Sequence, residues 1–169
     1  MNIRIGKTNR YHFPTLCTIE LMSFETLRAA GAITGEATAS SDEDLQQYLN
    51  NNLLFAAFDE RDIPVGYGGG YIAEDWLHIG EVDVYPDWQR KGIGRRIMNA
   101  LLEEGLTRKL KGATLTTDRF APFNAPFYSS LGFQPVGGDE CPERLRAILA
   151  AEQAKGLDPL RRIAMKLVF

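Results

Sequence analysis

The stretch QRKGIGRR, residues 89–96, has the residue types and spacing that could bind an anion: two glycines stand among four cationic side chains. It follows an apolar segment, HIGEVDVYP, and precedes a helical pattern, IMNALLEEGL. The first N–H groups of a helix lack partners within the helix, and glycine lets the backbone approach an anion closely. The stretch therefore predicts a phosphate site, or better a pyrophosphate site, at a turn between a strand and a helix.

Neither of the common nucleotide-binding motifs accounts for this turn. The sequence contains no GxxxxGK[ST] loop, and Gly92 and Gly94 are not followed by the third glycine of a GxGxxG fingerprint. A GxG pair alone is a weak signal, because a solvated basic turn also uses glycine to reverse the chain. The neighbouring elements must therefore decide between these interpretations.

The pattern around the turn predicts a mixed α/β sheet of six or seven strands, mostly antiparallel, with four to five flanking helices. Short connections favour antiparallel neighbours, and the helix after the turn predicts one parallel crossover. We predict strands at 2–5, 53–59, 65–75, 77–86, 113–117, 133–136 and 161–169. We predict helices at 14–30, 40–49, 93–108, 124–132 and 143–156.

Two segments are expected to depart from regular structure. The glycines at 68–70 weaken their strand and indicate a bulge or a close approach of two backbones. GAITGEATAS, residues 31–40, is rich in small residues and is predicted to be a mobile loop.

Composition narrows the class of protein. A length of 169 residues fits one domain spanning 1–169, and a net charge of −3 argues against a nucleic-acid binder. Cys17 and Cys141 form neither a disulfide framework nor a metal motif, and no HExxH or EF-hand pattern occurs, so no metal is expected. We expect no signal peptide, because the polar NIRIGKTNR follows Met1, and no membrane span, because no apolar run approaches the ~20 residues it needs. We expect a cytoplasmic protein without a membrane partner.

The sequence around the glycine turn resembles the GNAT superfamily of acetyl-CoA-dependent N-acetyltransferases, in its small, single-domain bacterial form. QRKGIG matches the [QR]-x-x-G-x-[GA] pyrophosphate loop of that family. EVDVYPDWQRKGIGRRIMNALL resembles its strand–loop–helix core, and TLTTDRFAPFNAPFYSSLGF resembles the strand and helix that follow. The resemblance implies an N-acetyltransferase that uses acetyl-CoA as cosubstrate, with a sheet that splays apart at the cofactor site.

The resemblance also implies which residues bind the coenzyme. The backbone of three strand residues would pair with the pantetheine arm: Val82, Asp83 and Val84. The N–H groups of the turn would hold the pyrophosphate: Gln89, Arg90, Lys91, Gly92, Ile93, Gly94 and Arg95. Two residues of the later helix would contact the cofactor: Asn124 and Tyr128.

Acetyl transfer to an amine requires loss of a proton from the ammonium, a donor to the thioester oxygen and an acid for the departing thiolate. Tyr128 follows Asn124 by four residues, so both side chains lie on one side of a helix. The resemblance implies that Tyr128 faces the sulfur as the acid, and a packed aromatic is the alternative. Asn124 is expected to contact the coenzyme, and a helix N-cap is its alternative.

The general base stays open between His78, Glu81 and Asp83. The ordinary pKa of histidine, about 6.5, suits proton transfer near neutrality, and several family members place a base at this position of the strand. Strict alternation separates His78 from the two acids, but a bulge near 80–83 would shift that parity. A structural histidine and a solvated strand face are the alternatives, and an amine that arrives neutral needs no base.

The acceptor stays open as well. We expect direct attack by a small primary amine in a ternary complex; the alternatives are a peptide or protein N-terminus and a non-catalytic acyl-CoA-binding module. Acidic residues would suit a polyamine: Glu25, Glu36, Asp42 and Asp118. Aromatic residues would suit an arylalkylamine: Phe24, Trp76, Phe120 and Phe123. Whether the protein is a homodimer also stays open.

Overall fold

The computed structural model describes residues 2–31 and 39–169, which form seven β-strands and five α-helices. The strands are β1 Arg4–Lys7, β2 Leu54–Phe58, β3 Pro64–Ala73, β4 Trp76–Val84, β5 Gly112–Asp118, β6 Gln134–Val136 and β7 Arg162–Val168. The helices are α1 Phe13–Ala29, α2 Asp42–Asn50, α3 Ile93–Thr107, α4 Ala125–Ser130 and α5 Glu143–Ala154. Most of the loop predicted over 31–40 lies outside the described residues.

The strands form one sheet in the order β1-β2-β3-β4-β5-β7-β6. Every neighbouring pair is antiparallel except β4 and β5, which are parallel and joined through α3. The predicted mixed, mostly antiparallel sheet with one helical crossover is therefore confirmed. None of the helices in the described ranges is long and apolar enough to span a lipid bilayer.

Each face of the sheet is covered by its own hydrophobic core. On one face, α3 contributes Ile93, Ile97 and Leu101 to a cluster that also contains Tyr128 of α4. On the other face, α1 and α2 pack a separate cluster against β2 and β3. β4 lies in the middle of the sheet, so its side chains on one face contact the α3 cluster and those on the other face contact the α1 and α2 cluster.

A bulge interrupts the pairing of β3 with β4. Gly69 pairs with Glu81. The next residue, Gly70, pairs with Ile79, so Gly80 is an extra residue on β4. The bulge that the glycine-rich segment predicted is confirmed.

The bulge changes which side chains share a face of β4. Adjacent residues of β3 point to opposite faces, so their partners Ile79 and Glu81 do so too. His78, Glu81 and Asp83 therefore all lie on the face covered by α1 and α2. Strict alternation, which separates His78 from the two acids, is wrong here because of the single extra residue.

The sheet opens beyond the bulge. The parallel contact between β4 and β5 ends after His78, which pairs with Thr114. On its other edge, β5 pairs with β7 along its whole length, from Gly112 to Asp118. The end of β4 therefore has one edge bonded to β3 and one edge open, which is the splay that the sequence resemblance implied.

The ring of Tyr48, from α2, lies against the bulge. A Cβ atom added to Gly69 would lie 2.7 Å from Cγ of Tyr48, and one added to Gly80 would lie 2.8 Å from its Cζ. Such distances are shorter than any ordinary contact, so both positions require glycine.

The predicted start of α2 is also confirmed: Ser41 accepts from the Asp44 N–H at 3.2 Å, and Asp44 accepts from the Ser41 N–H at 3.1 Å.

Gly69→Ala tests this packing. The added methyl group collides with a buried ring, so we expect a loss of about 1–3 kcal/mol in the free energy of unfolding, measured by urea denaturation. Gly137→Ala is the matched control, because its Cβ would meet nothing within 4 Å and its backbone is extended. Equal stability of the two variants would contradict this account of the bulge.

Candidate functional site

The opening between β4 and β5 forms a cleft of about 460 Å³. Residues from the helices on both faces of the sheet line it together with the end of β4. Those that matter for chemistry are Glu20, Tyr48, Glu81, Asp83, Asn124 and Tyr128. The cleft therefore brings three acids, an asparagine and two tyrosines around one space.

The glycine turn has the geometry that its sequence predicts. Gly92 caps the start of α3 in the left-handed region, with φ of +78°, and Arg90 also has a positive φ of +63°. Gln89 Nε2 donates to the Val84 carbonyl at 2.9 Å and so ties the turn to the end of β4. No described side chain caps the first N–H groups of α3, which leaves them available to an anion.

Of the four cations of the turn, three have side chains near the turn and the fourth, Arg96, contacts the N-terminal segment. Arg90 and Lys91 are exposed and form no ion pair within the described ranges. Arg95 lies 5.7 Å from the Phe127 ring centroid and donates to Ser130 Oγ at 2.9 Å. Arg96 donates to the Ile3 carbonyl at 2.9 Å, which fixes the N-terminal strand. The first three therefore supply the positive charge nearest the turn.

Tyr128 lies on the wall of the cleft and is only 8% exposed. Its ring packs edge-on against Phe133, with centroids 6.0 Å apart, and is tilted against Phe127 at 5.1 Å. Burial raises its pKa, and the nearby carboxyl groups of Asp83 and Glu81 raise it further. A tyrosine in this setting keeps its proton and can donate it, so the packed role and a donor role are compatible.

Asn124 immediately precedes α4, but its side chain does not cap the helix. Its Nδ2 donates to Thr117 Oγ1 at 2.9 Å, and its Oδ1 is buried without a hydrogen-bond partner. The alternative role as a capping residue is therefore wrong. The side chain instead presents an unsatisfied acceptor in the cleft.

Three carboxyl groups meet at the bulge: Glu20 from α1, and Glu81 and Asp83 from β4. One carboxylate oxygen of each lies within 4.8 Å of the others. Burial, together with the charge of Glu81, raises the pKa of Glu20 to about 7, against hydrogen bonds from Tyr67 and Ser40. Burial raises the pKa of Asp83 to about 6, and burial with the neighbouring Asp83 raises that of Glu81.

Sequence reasoning missed Glu20 and Tyr48. The signal for Glu20 was present: it follows Leu16 and Ile19 on the face of α1 that packs on the sheet, where a carboxylate is out of place. The Tyr67 hydroxyl donates to Glu20 Oε1, and the Ser40 N–H donates to Oε2 at 2.7 Å. These bonds hold the carboxyl group in the cleft.

His78 lies apart from the cleft wall. It is only 4% exposed, its Nδ1 lies 3.0 Å from Thr114 Oγ1, and its ring is 5.2 Å from that of Tyr71. Burial lowers its pKa to about 4, with a further contribution from Arg144. The geometry favours the structural histidine over the catalytic one, because β4 and β5 are still paired at this point.

The acids expected in the acceptor pocket are mostly elsewhere. Asp118 is 1% exposed, accepts the Ala121 N–H at 2.7 Å and pairs with Arg161 at 2.8 Å. Glu25 is exposed and pairs with Arg28 at 3.4 Å, Asp42 is exposed in the first turn of α2, and Glu36 lies outside the described residues. Of the four expected aromatics, only Phe24 lines the cleft.

Comparison with known proteins agrees with this geometry. The model of the acetyltransferase (GNAT) family matches residues 19–133, which is more than half of the chain. Three solved structures share the fold at low sequence identity, and each aligns with 99% or more of this chain.

The first is N-acetylglutamate synthase from Neisseria gonorrhoeae complexed with coenzyme A and N-acetyl-glutamate, with a TM-score of 0.72 and 15% identity; this chain spans 35% of its length. The second is the ribosomal-protein-S18-alanine N-acetyltransferase from Escherichia coli, with a TM-score of 0.69, 18% identity and 94% of its length covered. The third is the PaiA N-acetyltransferase from Thermoplasma acidophilum in complex with coenzyme A, with a TM-score of 0.68, 15% identity and 100% covered.

The glycine turn at the head of α3, the splayed sheet and the family match agree with one another. The chain belongs to the GNAT acetyltransferase family and is an acetyl-CoA-dependent N-acetyltransferase.

Proposed function

We propose that this enzyme transfers the acetyl group to a small, positively charged primary amine by direct attack in a ternary complex. The observation that supports this most is the group of three carboxyl side chains that lines the same cleft as Tyr128. Carboxylates attract an ammonium group and repel an anionic acceptor. A polyamine, with several ammonium groups, fits this charge better than a neutral or acidic substrate.

The size of the cleft also favours a small acceptor. About 460 Å³ is at the lower end of the range for small-molecule sites, and the thioester end of the cosubstrate must share it. The solved structures of similar fold include one enzyme complexed with N-acetyl-glutamate and one named for an alanine of a ribosomal protein, so the fold alone does not identify the class of acceptor. Charge and volume favour the small amine.

The open edge of β4 is the site proposed for the pantetheine arm. Val82, Asp83 and Val84 pair with β3 on one side only, so their other edge can form strand-like hydrogen bonds with the amides of the cosubstrate. Asn124 Oδ1 would accept from an amide N–H of the arm. The pyrophosphate would lie on the turn, held by its N–H groups and its cations: Gln89, Arg90, Lys91, Gly92, Ile93, Gly94 and Arg95.

In the proposed reaction, Glu81 takes a proton from the ammonium and the free amine attacks the thioester carbonyl. The backbone N–H near Val84 would stabilise the developing oxyanion. Tyr128 then gives its proton to the sulfur as the carbon–sulfur bond breaks. His78 has no role in this scheme, because its environment is closed to the cleft.

An amine panel tests the acceptor class. Purified protein is mixed with acetyl-CoA and either 1,4-diaminobutane, spermidine, phenethylamine or a peptide with a free N-terminus, and thiol release is followed. We expect the highest kcat/KM for the aliphatic di- and polyamines. Turnover with the peptide alone would overturn the small-amine proposal, and coenzyme binding without turnover of any acceptor would indicate a non-catalytic module.

Tyr128→Phe tests the acid. Removing the proton donor should lower kcat by about 10²-fold or more while leaving the KM for acetyl-CoA nearly unchanged. Tyr71→Phe is the matched control, since Tyr71 is a partly buried tyrosine outside the cleft lining. Wild-type kcat in Tyr128→Phe would remove this residue from the mechanism.

Gly92→Val tests the anion site. A β-branched residue at φ of +78° is strained by about 1–2 kcal/mol, and relaxing it moves the N–H groups at the head of α3. We expect a dissociation constant for coenzyme A about tenfold weaker, measured by calorimetry. Gly138→Val imposes a similar strain, at φ of +60° with open space around it, far along the chain from the turn. Unchanged affinity in Gly92→Val would argue against the turn as the pyrophosphate site.

A further inference from the structure

We infer that Glu20, Glu81 and Asp83 act as one carboxyl cluster that binds the ammonium group of the acceptor and takes up its proton. The inference rests on the proposed function and extends it in two ways. It adds Glu20 of α1, which the sequence analysis did not single out, as a positioning residue for the base. It also requires that the acceptor enter as a cation.

The geometry of the cluster fits an ammonium group. Its three oxygens lie within 4.8 Å of one another, so a nitrogen between them can be at a hydrogen-bond distance of about 2.8 Å from each. An ammonium ion has three N–H donors on its outer side, one for each carboxyl group. A neutral or planar donor would leave at least one of the oxygens without a partner.

Asp83 supplies an independent sign of a ligand. The residue is only 8% exposed, lines the cleft, and its Oδ2 is buried with no hydrogen-bond partner in the described part of the chain. A buried carboxylate oxygen without a donor costs about 1–3 kcal/mol or more. A cationic donor that enters the cleft would satisfy this oxygen.

The other charged groups around the cluster leave it electronegative. The positive charge of Arg162 of β7 acts to lower the pKa of Glu81, and its guanidinium is paired with Glu152 of α5 at 3.1 Å. The titratable groups that face the cluster from the packed elements are Tyr67 of β3, Asp44 and Tyr48 of α2, Tyr128 of α4, Glu152 of α5, Lys155 just after α5, and Arg162 of β7. Only Lys155 and Arg162 among them are cations, so the carboxyl groups are not neutralised by the protein itself.

Crowding also prepares the cluster as a base. Burial and like charge raise the pKa of Glu20 to about 7 and that of Asp83 to about 6. An ordinary carboxylate is a poor acceptor for the proton of an alkylammonium ion, because their pKa values are far apart. Raising the pKa of the carboxyl groups narrows that gap, so the same cluster that attracts the cation can deprotonate it.

The proton balance is complete without another reactant. One proton passes from the ammonium nitrogen to the cluster and leaves to water after turnover. The amine nitrogen bonds to the acetyl carbon, the carbon–sulfur bond breaks, and Tyr128 protonates the sulfur. The second proton lost from the nitrogen restores Tyr128. The products are the N-acetylated amine, free coenzyme A and one proton.

Glu20→Gln tests the cluster with little change of shape. Removing one negative charge lowers the pKa of the remaining two carboxyl groups, so the acid limb of kcat/KM for 1,4-diaminobutane should move down by about one pH unit. The KM for the diamine should rise and that for acetyl-CoA should stay constant. Glu103→Gln, an exposed residue of α3, removes the same charge elsewhere and should leave the limb in place.

Tyr67→Phe gives a shift of the opposite sign. The Tyr67 hydroxyl donates to Glu20 and lowers its pKa, so its loss should move the acid limb to higher pH. A merely structural role of either residue would lower activity without moving the limb. If Glu20→Gln does not fold, Tyr67→Phe still decides the question.

Failure of this inference is distinct from failure of the proposed function. An acid limb unmoved in folded Glu20→Gln and in Tyr67→Phe would reject the cluster while wild-type turnover of amines stands. If no amine is acetylated, carboxyl ¹³C resonances of the wild-type protein are titrated with and without 1,4-diaminobutane. A diamine that lowers the titration midpoints of Glu20 and Asp83 supports the cluster as an ammonium site, and unchanged midpoints overturn it.

Discussion

One extra residue in β4 is the constraint on which the site depends. Gly80 has no partner in β3 and forms the bulge. The last pair of β4 with β5, His78 with Thr114, comes two residues before it. The same insertion rotates Glu81 and Asp83 towards α1. The open backbone edge of β4 and the acidic side chains in the cleft thus both depend on a single local irregularity in pairing.

The glycine turn and the cleft carry opposite charge. The head of α3, with Arg90 and Lys91, is positive, and the carboxyl groups at the bulge make the cleft acidic. In the proposed complex, each substrate would be repelled from the place of the other, and this repulsion would orient the cosubstrate before any specific contact forms. Tyr128 lies on the same cleft wall as the bulge, where the thioester and the amine would meet.

Most of the elements and the glycine turn could be predicted from sequence, because they depend on local signals. Hydrophobic periodicity and the glycines of β3 each indicate structure within a few residues. The site is less predictable since it depends on register. Strict alternation separates His78 from Glu81 and a bulge near 80–83 removes that separation, and only the pairing of Gly69 and Gly70 shows that the bulge is present. The position of Glu20 on the apolar face of α1 is a local signal, but its contact with the distant Tyr67, which holds it in the cleft, leaves no local pattern.

Asp118 shows how a residue can be important to the site without lining it. Its carboxylate accepts from the N–H groups of Phe120 and Ala121 and from the Arg161 guanidinium, so it joins the loop that carries Asn124 to the turn before β7. The loop that carries Asn124 and the start of the C-terminal strand are thereby held together. A chimera that exchanges the C-terminal segment with that of a relative must therefore carry a matched pair at 118 and 161, or the transplanted strand will displace Asn124.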